Sequence, residues 1–81
     1  MLEETRRILI EALQLGSRGE ALTTESPILG AIPEFDSMAV VTVLTIMEEK
    51  FGVEIDDAEI SAEIFETLGT LSDFLQSKVN N

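Results

Sequence analysis

The chain has 81 residues and neither cysteine nor histidine, which excludes a disulfide framework, thiolate chemistry and catalysis by the commonest general base. Its formal net charge of −11, from 16 acidic and 5 basic side chains, sets it against nucleic acid and against anionic membrane surfaces, both of which would repel it. With 44% hydrophobic residues, it reads as one folded domain spanning residues 1–81 rather than as a disordered chain.

Residues 2–15 read as the first helix. Leu2, Ile8, Leu9, Ala12 and Leu13 fall near i, i+3, i+4 spacing and form the inward stripe. Glu3 and Glu4 lie in the first turn, where the helix dipole favours negative charge, and Gly16 is the expected stop. The segment Met1 to Arg7 carries acids ahead of any apolar run and lacks a signal-peptide layout. No stretch approaches the ~20 apolar residues of a membrane span. No membrane insertion and a cytoplasmic location are therefore expected.

Residues 16–35 hold Gly16, Gly19, Pro27, Gly30 and Pro33, too many breakers for a long element. A long first loop is expected there, with a short helical turn near 26–30. Ile28, Leu29, Ile32 and Phe35 are expected to pack down and close one side of the core.

Residues 37–51 read as the second helix, with Met38, Val41, Leu44, Met47 and Phe51 as its main stripe and Val40, Val43 and Ile46 widening it. The β-branched residues also permit a strand, but fifteen residues is long for one. Asp36 and Ser37 precede the helix, and either side chain can cap it. Gly52 follows as the stop. Val53-Glu54-Ile55 reads as a short extended link, and a short helix is expected within 57–66. Thr70 with Asp73 resembles a capping pair, so the last helix is expected over 70–79 with Leu71, Phe74, Leu75 and Val79 facing inward. The expected fold class is all-α, a small four-helix bundle of three main helices and one short helix, with a long first loop.

The chemistry concentrates on Ser37, at the junction of loop and helix. As a hydrolytic nucleophile it lacks a base: there is no histidine, Asp36 is a weak base in a wet loop, and the Gly-x-Ser-x-Gly elbow is absent from Phe35-Asp36-Ser37-Met38-Ala39. The acids do not supply a metal site either, because Asp56-Asp57-Ala58-Glu59 lacks the alternating ligands, central Gly and closing Glu of an EF-hand. As an attachment point Ser37 is better placed. A phosphodiester on its oxygen would sit near the first amides of a helix, which favour an anion. On position alone, an ordinary capping serine is the commoner reading.

The neighbourhood shifts that balance. Asp36-Ser37-Met38, followed by Val41, Val43, Leu44, Met47, Glu48, Glu49 and Phe51 and then by Glu54-Ile55, resembles the Asp-Ser-Leu segment and following helix of acyl carrier proteins. The order of elements also agrees, and the resemblance covers nearly all of the chain. It implies a carrier with no activity of its own. A phosphopantetheinyl transferase would move 4'-phosphopantetheine from coenzyme A onto Ser37, and the thiol of that arm would hold acyl groups as thioesters. Asp36 matches the aspartate that helps the transferase recognise its site, and Met38 matches the family's leucine, an apolar partner contact. Val40, Val43, Leu44, Ile46 and Met47, with Ile64, Phe65 and Leu68, are expected either to line the acyl groove or to be plain core.

The chain also departs from the family. Phe35 stands where fatty-acid-synthesis carriers usually have a small residue, and Ala39 and Thr42 stand where those carriers show exposed acids. Phe35, Ala39, Thr42, Glu48 and Glu49 are taken as the partner-facing positions. Residues 34–81 carry eleven acids and two bases, against five acids and three bases in residues 1–33. Such a surface favours acyl-loading and acyl-transferring enzymes with basic docking surfaces, although each lost rim charge pair removes ~0.5 to 1 kcal/mol. These departures suggest a stand-alone carrier of a specialised bacterial pathway, such as those of exosortase and exopolysaccharide gene clusters, rather than the housekeeping fatty-acid carrier. The chain is expected to be a monomer with no metal site. A peptidyl or aminoacyl carrier and an acidic helical interaction module that is never modified are the alternatives.

Overall fold

The computed structural model describes residues 1–80. Four α-helices run in the order α1 (Leu2–Leu13), α2 (Ser17–Glu20), α3 (Ser37–Phe51) and α4 (Leu68–Val79), and two 3-10 turns, Asp57–Glu59 and Ala62–Phe65, lie between α3 and α4. The all-α bundle with its long first connection is the expected fold. Helix α1 packs against both α3 and α4. It contributes Ile8, Leu9 and Leu13 to a core that also takes Val43, Leu44 and Met47 from α3 and Leu68, Leu71 and Leu75 from α4.

Helix α1 ends earlier than its apolar pattern predicts. Gln14, not Gly16, takes the left-handed conformation that closes it, at φ 53. The early stop lets Leu15 turn back under the bundle, where it is buried, while its amide bonds the Ile10 carbonyl at 3.1 Å. Thr5 is fully buried within the apolar stripe and donates its hydroxyl to the Met1 carbonyl at 2.9 Å, so the burial leaves no unpaired donor. Ser17–Glu20 form a further short helix, α2, capped by Gly16 and containing Gly19, that these local breakers conceal.

The long loop after α2 is tied to the far end of the chain. The helical turn expected near 26–30 falls slightly later, where the Ile28 carbonyl accepts the amides of Ala31 and Ile32 at 3.2 and 3.1 Å, and it is preceded by an isolated antiparallel bridge between Pro27 and Thr67. The amides of Ile28 and Leu29 donate to the carbonyls of Glu66 and Phe65 at 3.0 and 2.9 Å. In return, Leu68 and Gly69 donate to the carbonyls of Ser26 and Thr24 at 2.9 and 2.8 Å. Ile28 is fully buried and Phe35 nearly so, as expected, but Leu29 remains 48% exposed because the bridge turns consecutive side chains to opposite sides.

Those bonds also correct the start of α4. Thr67 is its cap: its hydroxyl accepts the Thr70 amide at 3.1 Å, and the Thr70 hydroxyl accepts the Thr67 amide at 3.0 Å. Thr70 is therefore the third residue of the helix and not its start, and Asp73 takes no part in the cap. Carbonyls of the loop satisfy the orphan amides at Leu68 and Gly69, so the helix begins two residues earlier than the local pattern shows. At its other end Val79 is 38% exposed rather than inward-facing.

Helix α3 spans the expected fifteen residues and ends at Gly52, whose φ of 63 suits glycine. Its orientation differs from the expectation. Ala39, Val43, Leu44 and Met47 face the core, whereas Met38 and Val41 are 69% and 57% exposed. A helix that is apolar on most sides offers two stripes of similar quality, and packing against α1 selects between them.

Candidate functional site

The two candidate caps before α3 take different roles. Asp36 has extended backbone angles, φ −116 and ψ −171, and its Oδ1 accepts the Ala39 amide at 2.9 Å. It is the N-cap. Ser37 is thereby the first helical residue, exposed, and among the described residues no protein group hydrogen-bonds its hydroxyl. The capping reading of Ser37 is removed, because the neighbouring carboxylate already does that work.

The approach to Ser37 is held from two sides. The Phe35 ring lies over Phe65, with centroids 5.3 Å apart and planes tilted by 44°. Glu34 forms an ion pair with Arg18 of α2, and the hydrogen bond from that guanidinium holds the Glu34 carboxyl below its ordinary value of 4.5. Buried aromatic packing fixes the chain one residue before the cap, so Asp36 reaches the helix amide without a search of loop conformations.

This packing corrects two positions expected to face partners. Phe35 and Ala39 are only 8% and 7% exposed. The first is occupied by its contact with Phe65, and the second lies one turn before Val43 on the inner face of α3. Thr42 and Glu49 are exposed. Glu48 is half-buried, and its Oε2 accepts the Ile55 amide at 2.9 Å, bracing the link that leaves α3. Val41, which the sequence reading placed inward, shares the outer face with Ser37. Its i+4 spacing from the serine is the signal that could have placed it there.

The eight residues expected to line an acyl groove all join one apolar cluster. Val43, Leu44, Met47, Phe65 and Leu68 are buried in it, and Val40, Ile46 and Ile64 pack at its edge. Of the eight, only Ile64 also lines an open cleft of about 400 Å³, whose other walls include Thr70, Asp73 and Phe74. The positions thus come together as core. Among the described residues no cluster of three or more His, Cys, Asp or Glu is placed to hold a metal ion.

Chemically, the arrangement offers an accessible primary hydroxyl at the amide end of a fifteen-residue helix, beside a carboxylate already committed to a backbone amide. That suits attachment of an anionic group better than proton abstraction. Comparison with known proteins agrees. A family model described as the phosphopantetheine attachment site matches residues 6–75. The solution NMR structure of a holo acyl carrier protein from Nitrosomonas europaea is 52% identical and superposes with a TM-score of 0.91, covering 99% of this chain and 96% of that one.

Proposed function

This chain belongs to the phosphopantetheine-attachment family of acyl carrier proteins, and on that premise we propose that Ser37 bears the prosthetic arm. The family's members are carriers and not enzymes; their covalent group is 4'-phosphopantetheine, and they meet a phosphopantetheinyl transferase and acyl-handling enzymes. When bound, that group supplies a terminal thiol that holds an acyl chain as a thioester.

The observation that carries the assignment to Ser37 is the division of labour at the start of α3. Asp36 supplies the cap, which leaves the serine hydroxyl exposed and uncommitted where a transferase can reach it. The helix's first amides and its dipole favour the phosphodiester formed there. Asp36 is the residue through which the transferase recognises the site, and Met38 is an outward apolar contact beside it.

Val40, Ile46 and Ile64, at the edge of the core, form the entrance through which an acyl chain slides between Val43, Leu44, Met47, Phe65 and Leu68. The carrier acts as a monomeric single domain in the cytoplasm. The acids of its C-terminal half, Glu49 among them, steer basic partner enzymes. Its pathway is a specialised one. The support for that is the first eleven residues of α3, Ser37 to Met47, which hold no charged side chain.

Incubation with coenzyme A and a broad-specificity phosphopantetheinyl transferase, followed by mass spectrometry and fragmentation, tests the assignment. The expected result is a gain of one phosphopantetheine on the peptide containing Ser37. A gain located on Ser61 or Ser72 instead would remove the proposed site while leaving the family intact.

A further inference from the structure

A thioether sulfur stands beside the attachment serine. The chain has no cysteine, histidine, tryptophan or tyrosine, so its three methionines are the side chains open to mild oxidation. They differ in access. Met47 is fully buried in the core, and Met1 is half-buried against it. Met38 is 69% exposed, the most of any large apolar side chain among the described residues.

The position of Met38 makes that exposure consequential. It follows Ser37 directly in the first turn of α3. The backbone there is held independently of the thioether: Asp36 caps the helix through the Ala39 amide, and the Met38 carbonyl accepts the Thr42 hydroxyl at 3.0 Å. A change confined to the Met38 side chain therefore alters what an approaching enzyme meets without removing a hydrogen bond that holds the helix.

Resting on the assignment of the arm to Ser37, we propose that Met38 is a site of reversible oxidation by peroxides, and that its sulfoxide slows loading of the neighbouring serine. With hydrogen peroxide, a lone pair of the Met38 sulfur attacks one peroxide oxygen. The sulfur–oxygen bond forms as the oxygen–oxygen bond breaks, the proton of the attacked oxygen passes to the departing one, and water leaves. The sulfur loses two electrons and the peroxide gains them. A sulfoxide reductase reverses the change by oxidising two thiols to a disulfide, the oxygen leaving as water. The sulfoxide is polar where the thioether was apolar. An enzyme whose reacting centre reaches Ser37 strips water from the residue beside it, and a sulfoxide left without a donor resists that more than a thioether does. Met47 is spared because the close-packed core excludes the peroxide, so the modification stays beside the attachment serine and leaves the fold intact.

To test this, the unloaded chain is treated with dilute hydrogen peroxide, which is destroyed with catalase before coenzyme A and a broad-specificity phosphopantetheinyl transferase are added. Peptide mapping by mass spectrometry is expected to find one added oxygen on Met38 before any on Met1 or Met47, with the thermal melt unchanged. The initial rate of phosphopantetheine gain is expected to fall about tenfold and to recover after treatment with methionine sulfoxide reductases. Met38→Leu, read against its own untreated rate, is expected to lose nothing on peroxide treatment, which separates Met38 from Met1 as the source of the effect. Oxygen entering Met1 or Met47 first overturns the proposal. So does an oxidised chain that loads at the untreated rate, or a loss of rate that persists in Met38→Leu. Each of those results leaves the Ser37 assignment standing. An untreated chain that gains no phosphopantetheine overturns that assignment and this proposal with it.

Discussion

Two helix N-termini in this protein solve the same problem in opposite ways. At α4 the first amides are spent on the protein itself: Leu68 and Gly69 donate to loop carbonyls, and Thr67 and Thr70 cap each other. At α3 a single side chain, Asp36, provides the cap, and the next residue stands exposed with its hydroxyl uncommitted. The first terminus is a structural joint between distant parts of the chain. The second is left open to an outside reactant. Changes at α4 should therefore cost stability, whereas changes at Ser37 should cost function alone.

The strongest way to break this contrast is at Gly69. A Cβ there would stand 2.8 Å from the Thr24 carbonyl oxygen and 2.6 Å from its Cγ2. Backbone cannot yield cheaply, so Gly69→Ala is expected to destabilise by about 1–3 kcal/mol in denaturant unfolding. A cost below about 0.5 kcal/mol would mean that the loop is not held against α4.

The two caps sharpen the comparison. Thr67→Ala removes an acceptor from a half-buried reciprocal pair and is expected to cost about 1–2 kcal/mol. Asp36→Ala removes one exposed cap and is expected to cost about 1 kcal/mol. Equilibrium unfolding of both variants ranks them, and a larger loss at Asp36 would reverse the assignment of joint and open end.

The smallest expected effect concerns the clasp between the link and the end of α4, where Lys78 Nζ lies 2.8 Å from Glu59 Oε1. That hydrogen bond, helped by the Asp56 amide, holds the Glu59 carboxyl below its ordinary value of 4.5. A carboxyl lowered on folding stabilises above its unfolded value and loses that contribution as pH falls through its folded one. The melting temperatures of the unaltered chain and of Glu59→Gln should differ slightly near neutral pH and converge as pH falls below 4.5 and through the lowered folded value of Glu59. A gap that widens on acidification would contradict the pairing.

The legibility of the sequence follows the same division. Helix α3 could be read to its ends because both signals are local: an aspartate cap at the start and a glycine at the stop. The start of α4 was misplaced by the pairing of Thr70 with Asp73, since its true partners, the carbonyls of Thr24 and Ser26, lie more than forty residues away in the chain. Helix α2 is hidden by the glycine that caps it, Gly16, and the glycine within it, Gly19. The rotation of α3 was ambiguous because its apolar residues run nearly all round, and only packing against α1 turns Val43 and Met47 inward and Met38 and Val41 outward.

For the site, Ser37, Asp36 and Met38 stood out by type and order. Phe35 and Ala39 were misjudged as surface because proximity in sequence to Ser37 does not show which way a helix residue points. The eight groove positions were legible as apolar but not as a cavity, since residues that could shelter an acyl chain and residues that fill a core have the same composition.

One measurement on Ser37→Ala tests the central claim most directly, with stability and loading read on the same sample. Unfolding is expected within about 0.5 kcal/mol of the unaltered chain, as for an exposed side chain with no hydrogen-bond partner among the described residues, together with complete loss of the phosphopantetheine mass gain. A variant that still gains the group, or one whose loss of loading accompanies loss of the fold, would contradict the reading of α3 as the terminus left open for attachment.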